Sequence, residues 1–207
     1  MTLQEYLRDP CGMLSIPYWK NKTVQVPNFM RIVHARDYDT AVFAEYTDEL
    51  YFRLKHDLHD IPLADKQFIC RTAGEDDLPL MAEIINRSYT DLSVTLEQLQ
   101  GYRNTPAFAP DLWIIVKDAA LSEIVGCGIA DVDPEAREGI MEWIQVLPEH
   151  RGRGAGQFIV NELLRRMQDC ADFATVSGKV NNATNPEGLY RRCGFIGEDV
   201  WHILTKE

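Results

Sequence analysis

The chain has 207 residues, 45% hydrophobic and 26% charged, enough for a real core in one domain with an extension or in two small domains. With 21 Lys plus Arg against 32 Asp plus Glu, the net charge is −11, which argues against nucleic-acid binding through a broad basic surface but not against a local phosphate site. Five scattered cysteines, Cys11, Cys70, Cys127, Cys170 and Cys193, form no C-x-x-C pair, so neither a disulfide framework nor a metal site is expected.

The N-terminal stretch carries Glu5, Asp9 and Pro10 where a secretory peptide needs an apolar run. No later stretch has the length of a membrane span, so a cytoplasmic protein without a membrane partner is expected. A polar seam near "HDIPLADKQF", residues 59–68, separates an N-terminal extension (1–66), packing on the main domain, from that domain (67–207). In the extension, "TVQV" and "FMRIVHA" are strand candidates, and "YDTAVFAEYTDELYFRLKHDL" is read as a helix. Its aromatics, among them Tyr6, Tyr18, Trp19 and Phe52, predict a segment that packs on something.

From residue 67 the order is clearer. "FICRTA" reads as a strand and "DDLPLMAEIINRSY" as a helix with acidic residues in its first turn. "SVTLEQLQGYRN" opens on Ser/Thr caps and reads as a second helix. "LWIIVKD" and "EIVGCGIADVD" are strands joined by a short connection, hence antiparallel, and "GIMEWIQV" is a third. A glycine turn and a helix to about Met167 follow, then strand "FATVSGKV", helix "PEGLYRRC" and strand "VWHILTK". The succession β-α-α-β-β-β-α-β-α-β predicts an α/β fold with a mixed sheet.

The glycine turn, "PEHRGRGAGQF", places Gly152, Gly154 and Gly156 at alternate positions with Arg151 and Arg153 between them. Strand, glycine turn and helix together form a phosphate-binding recipe, because the first N–H groups of a helix lack intrahelical acceptors and the helix dipole favours an anion. A G-x-G-x-x-G fingerprint fails, since Gln157 or Ile159 occupies the third slot, and no Lys-Ser/Thr completes a G-x-x-x-x-G-K-S/T loop. What remains is R-x-x-G-x-G, on Arg151, Gly154 and Gly156. In the following helix, Ala155, Ile159, Leu163 and Met167, with Phe158 and Leu164, form an apolar stripe, leaving Asn161, Glu162, Arg165 and Arg166 on the other side.

This turn resembles the coenzyme A pyrophosphate loop, Q/R-x-x-G-x-G/A, of the GNAT superfamily of N-acetyltransferases, and the likeness spans about residues 67–207 in element order. "NPEGLYRRCGF" is similar to the family's closing motif, N-x-x-A/G-x-x-L-Y-x-x-x-G-F, with a shorter gap before Leu-Tyr. Either Asn182 or Asn185 can supply its asparagine. Asn185 is also a good N-cap, Pro186 suits the first helical position and Gly194 the left-handed stop.

The resemblance implies a GNAT-type, mostly antiparallel sheet flanked by helices on both faces, with acetyl-CoA as acyl donor and a small-molecule or peptide amine as acceptor. It implies a cofactor site at Ile144, Val146, Arg151, Gly152, Arg153, Gly154, Ala155, Gly156, Gln157 and Asn185. Tyr190 is the implied proton donor to the departing thiolate. A phenol of reference pKa about 10 suits a thiol of about 8.5, although a tyrosine beside a helix stop can also serve only to pack against Phe195. Glu142 leads as general base, because strand alternation puts it on one face with Ile144 and Val146. His202, Asp131, Asp133 and a base acting through water stay open. Cys193 has no evident histidine partner and reads as an apolar filler. A catalytically degenerate acyl-CoA-binding module is the alternative function, and a homodimer is compatible with the sequence.

Overall fold

The computed structural model describes residues 1–63, 65–89 and 92–206. In chain order the elements are α1 (Leu3–Arg8), α2 (Pro10–Met13), α3 (Tyr18–Thr23), β1 (Met30–His34), β2 (Thr47–His56), β3 (Phe68–Thr72), α4 (Leu78–Ser88) and α5 (Leu96–Tyr102). They continue with β4 (Phe108–Asp118), β5 (Ile124–Asp133), β6 (Glu138–Val146), α6 (Ala155–Met167), β7 (Phe173–Lys179), α7 (Pro186–Arg192) and β8 (Ile196–Thr205). The chain forms two compact units, Met1–Asp57 with Thr175–Glu207, and Leu58–Ala174. The expected cut at residue 66 thus falls past the break at Asp57 and Leu58. Residues 1–57 share their unit with the C-terminal strands.

In the first unit β8 lies between β1 and β2, antiparallel to both, and β7 follows β2 in strand order. Two N-terminal expectations need correction. Val24–Pro27 forms no strand, since Thr23 closes α3. The stretch read as a helix contains turns and then the ten-residue strand β2. Tyr46, Leu50, Leu54 and Leu58 are four apart, a spacing that satisfies a period of 2 as well as one of 3.6. Tyr51 and Phe52 favour a strand, and a strand is what pairs with β8.

Strand β2 also carries a buried arginine, Arg53. Its guanidinium donates to Tyr6 Oη at 3.0 Å, Thr175 Oγ1 at 3.3 Å and Ser177 Oγ at 3.3 Å. A buried guanidinium demands such partners, and the N-terminal helices supply part of the shell. Thr2 opens α1 with a capping box to Glu5, so even the first turn is locally specified.

The second unit is an antiparallel sheet in the order β6-β5-β4-β3. Its elements follow the sequence reading closely. Thr95 caps α5 reciprocally with Gln98, and Pro lies in the first turn of α4. One face packs on α4 and α5 through Met81, Ile84, Ile85, Leu99, Trp113 and Ile115. The other packs on α6, whose Ile159, Leu163, Leu164 and Met167 are fully buried. Asn161, expected on the solvent side, is also buried, and Arg165 and Arg166 both bind Glu162, at 2.7 and 2.8 Å.

The approach of α6 to β5 is close enough to require glycine. A Cβ on Gly128 would lie 2.6 Å from Ile159 Cγ2 and 3.0 Å from Leu163 Cδ1. Overpacking of this kind costs about 1–3 kcal/mol, so Gly128→Ala should lower the melting temperature by several degrees, each kcal/mol being worth about 2–4 °C at this size. An unchanged thermal melt would show that α6 yields without cost.

Candidate active site

The loop leaving β6 is built from the backbone outward. Pro148–His150 makes one turn of 3-10 helix, and Gly152 and Gly154 then take φ of +77° and +91°. Only glycine visits this region without strain, which accounts for two of the three alternate glycines. Gly154 is the N-cap of α6 and offers no side-chain acceptor. Phe158 N–H is the first to bond back, to Gly154 O at 3.0 Å. The N–H groups of Ala155, Gly156 and Gln157 therefore have no carbonyl within the helix.

The surroundings of the glycines are open. A Cβ on Gly152 would find no protein atom within 4 Å, and one on Gly154 would meet only Phe68 Cε2, at 3.9 Å. Free space beside the positive end of a 13-residue helix fits an anionic, phosphate-bearing group.

Both loop arginines are committed to protein groups. Arg151 donates through Nε to Val146 O at 3.2 Å and through Nη2 to Ser88 O at 3.1 Å, tying the loop to the ends of β6 and α4. Arg153 Nη2 lies 2.5 Å from Asp118 Oδ2, and that carboxylate is 2% exposed. The N–H of Leu121 is the largest influence holding Asp118 below the usual carboxylate range, helped by the N–H of Ala120 and by Arg153. Neither Ser88 nor Asp118 carries a sequence signal beyond a helix end and a hairpin turn.

The structure modifies the reading of β6. Ile129 pairs with Trp143 but Ala130 with Met141, so Glu142 is the extra residue of a β-bulge. Gly128, opposite Ile144, faces α6, and Ala130 shares its face, so Met141 and Ile144 lie on one side with two residues between them. The alternation expected to group Glu142 with Ile144 and Val146 is therefore interrupted at Glu142. Ile144 and Val146 are half-buried on the α6 side. Trp143 packs on the α4 cluster, and Gln145 donates to Tyr89 Oη at 3.0 Å.

The closing motif lies in the first unit. Asn185, at φ 47°, caps α7 by accepting from Gly188 N–H at 3.1 Å. Asn182 instead accepts from Thr184 in the preceding turn, so the cap is Asn185. Gly194, at φ +95°, ends α7 with bonds from its own N–H to Arg191 O and from Phe195 N–H to Tyr190 O, a Schellman stop. Tyr190, 8% exposed, packs edge-on to Phe195 at 5.6 Å and near Phe52 at 6.3 Å.

The other candidates have structural partners. His202 Nδ1 lies 2.8 Å from Asp48 Oδ2 under the stacked ring of Tyr38. Asp133 accepts from Glu135 and Ala136 N–H and shapes the β5–β6 turn, and Asp131 is buried. Burial pushes the Cys193 thiol up to about 11, which excludes a thiolate nucleophile near neutral pH.

Comparison with known proteins bears on the fold. Residues 109–196 match the acetyltransferase (GNAT) domain. A GCN5-related N-acetyltransferase from Sphaerobacter thermophilus shares the fold with a TM-score of 0.71 at 18% identity, covering 86% of this chain and 59% of that one. The ribosomal-protein-S18-alanine N-acetyltransferase of Escherichia coli aligns with a TM-score of 0.53 at 14% identity, over 67% of this chain and 92% of that one. A chain of the NatC complex bound to Gag peptide and CoA gives 0.54 at 18% identity, over 68% and 99%. This chain thus spans about three-fifths of the Sphaerobacter protein's length. No match was found among curated protein sequences. Residues 109–196 thus match the acetyltransferase (GNAT) domain, and the chain shares the fold of solved GNAT acetyltransferases.

Proposed function

We propose that the protein transfers an acetyl group from acetyl-CoA directly to a primary amine, in the reducing environment that five free cysteines suit. The start of α6 carries this reading: two positive-φ glycines, no side-chain cap and free space beside unbonded N–H groups. The pyrophosphate is assigned to the N–H groups of Gly154 through Gln157, and the pantetheine arm to the backbone near Ile144 and Val146. Arg151 and Arg153 hold the loop, and Asn185 holds the helix that bears Tyr190.

Three tasks define the chemistry. A lysine-like ammonium, of reference pKa about 10.4, must lose a proton before its nitrogen attacks the thioester carbonyl. Glu142 is the proposed base, and its place in a bulge is consistent with a re-aimed side chain. The oxyanion is stabilised by backbone N–H groups near the end of β6. Collapse of the tetrahedral intermediate breaks the C–S bond, and Tyr190 protonates the departing thiolate. The net charge of −11 favours encounter with a cationic acceptor.

The test is thiol release from acetyl-CoA across polyamines, aminoglycosides and lysine peptides, with thermal stabilisation by acetyl-CoA measured alongside. Stabilisation without turnover on any amine favours the acyl-CoA-binding module, and no stabilisation rejects the loop assignment. Glu142→Gln should lower kcat about 10²-fold without changing acetyl-CoA affinity. A loss below about threefold would transfer the base role to water or another group.

A further inference from the structure

Arg153 is the one side chain between the two positive-φ glycines; its Nη1 lies 3.4 Å from His150 Nδ1 in the same loop, and its Nη2 reaches a carboxylate 35 residues earlier. Asp118 is unusually well held for a turn residue. Its Oδ1 accepts from Ala120 N–H at 3.0 Å and Leu121 N–H at 3.1 Å, and its Oδ2 takes Arg153. Its own N–H bonds Glu123 O and its carbonyl accepts from Ser122, closing the β4–β5 hairpin. It also pairs with Phe68 of β3, and Ala119 N–H donates to Gln67 O beside it. The carboxylate is therefore fixed to the sheet on several sides, and a charge-assisted bond from such an anchor fixes the direction of what it holds.

Gly152 and Gly154, by contrast, are the most permissive residues available and would sample many conformations unless pinned. Arg151 pins the loop upstream of Gly152, so the stretch from Gly152 to the first turn of α6 depends on the next tether. We infer that Asp118 is a positioning residue for the donor site: through Arg153 it holds the Gly152–Gly156 backbone in the conformation that presents its N–H groups to the coenzyme A pyrophosphate. Arg153 then acts as a strut, without direct phosphate contact. The inference rests on the acetyl-CoA reading for its ligand, but not for the loop geometry.

Strut and direct contact predict opposite results for one substitution. Asp118→Asn keeps an Oδ1 able to accept from Ala120 and Leu121, and replaces the oxygen facing Arg153 with an NH2 donor. If Arg153 is a strut, Asp118→Asn and Arg153→Ala should each weaken coenzyme A binding, measured by calorimetry, roughly tenfold or more, since small misplacement of binding groups is costly. The double variant should be no worse than either single one, because both break the same link. The KM for acetyl-CoA should rise while kcat at saturation changes little. If Arg153 contacts phosphate directly, Asp118→Asn releases it and affinity holds or improves. That result, or additive losses in the double variant, overturns the inference.

Hydrogen exchange separates this from the function itself. Without ligand, the Phe158 amide, whose N–H bonds Gly154 O at 3.0 Å, should exchange at least several-fold faster in Asp118→Asn and in Arg153→Ala than in the parent, while the amides of β4 and β5 stay protected. Unchanged exchange in both variants sinks the strut even if coenzyme A binds. Faster exchange in the variants, with a parent protein that itself binds no coenzyme A, keeps the strut and rejects the acetyltransferase reading. Arg153 is 38% exposed, so Arg153→Ala tests the link even should Asp118→Asn fold poorly.

Discussion

Gly154→Val is expected to raise the dissociation constant for coenzyme A at least 100-fold while leaving a folded protein. The backbone there has φ +91°, where a β-branched residue is strained by about 1–3 kcal/mol. A Cβ there would meet only Phe68 Cε2, at 3.9 Å, so backbone strain sets the cost to the fold, and the melting temperature should fall by roughly 2–12 °C. The methyls would instead fill the space beside the first turn of α6. Gly154→Ala separates the two causes: it imposes most of the strain with less bulk. Equal losses for Ala and Val would identify backbone strain as the cause, and a much larger loss for Val would identify occlusion. Arg151→Ala should cost less, about 1–2 kcal/mol, because the N–H donors survive when the bonds to Val146 O and Ser88 O are lost. Parent-like coenzyme A binding by Gly154→Val would reject the loop assignment.

These contrasts follow the line between what the sequence discloses and what it hides. The second unit, and α7 in the first, are legible almost element by element, because their signals are local. Thr95 with Gln98, the glycine turn, and the Asn185, Pro186 and Gly194 punctuation of α7 each fix a helix end within a few residues. Strand β2 was misread because a four-residue apolar spacing fits two periods, and because its partner β8 lies about 150 residues away. The bulge at Glu142 left no mark: it shows only in the register against β5. In sequence the arginines stand only as members of the glycine turn, and their acceptors, a backbone carbonyl at Ser88 and a carboxylate at Asp118, belong to distant segments. Local backbone chemistry is written locally, whereas the partners of long side chains are set by tertiary contact.

Tyr190→Phe is expected to lower kcat about 10²–10³-fold, within the usual range for removing a proton-transfer group, with acetyl-CoA affinity nearly unchanged and the melting temperature lowered by no more than the loss of one hydroxyl interaction, about 0.5–1.5 kcal/mol or a few degrees. The second half of that expectation comes from packing. The Tyr190 ring lies against Phe195 and Phe52, and the Schellman stop at Gly194 fixes its backbone, so phenylalanine keeps every apolar contact and loses only the hydroxyl. The same packing is the rival explanation for the residue, since a tyrosine in such a place can be structural alone. The leaving group decides between them. If the hydroxyl protonates a departing thiolate, its loss should matter less as the thiol becomes more acidic, because such a thiolate leaves without a proton. The defect measured with acetyl-CoA should therefore shrink with an acetyl thioester of a thiol whose pKa lies several units below about 8.5. A defect of equal size for both donors would mean the hydroxyl serves some step other than departure, and a loss under about threefold with acetyl-CoA would leave Tyr190 a packing residue.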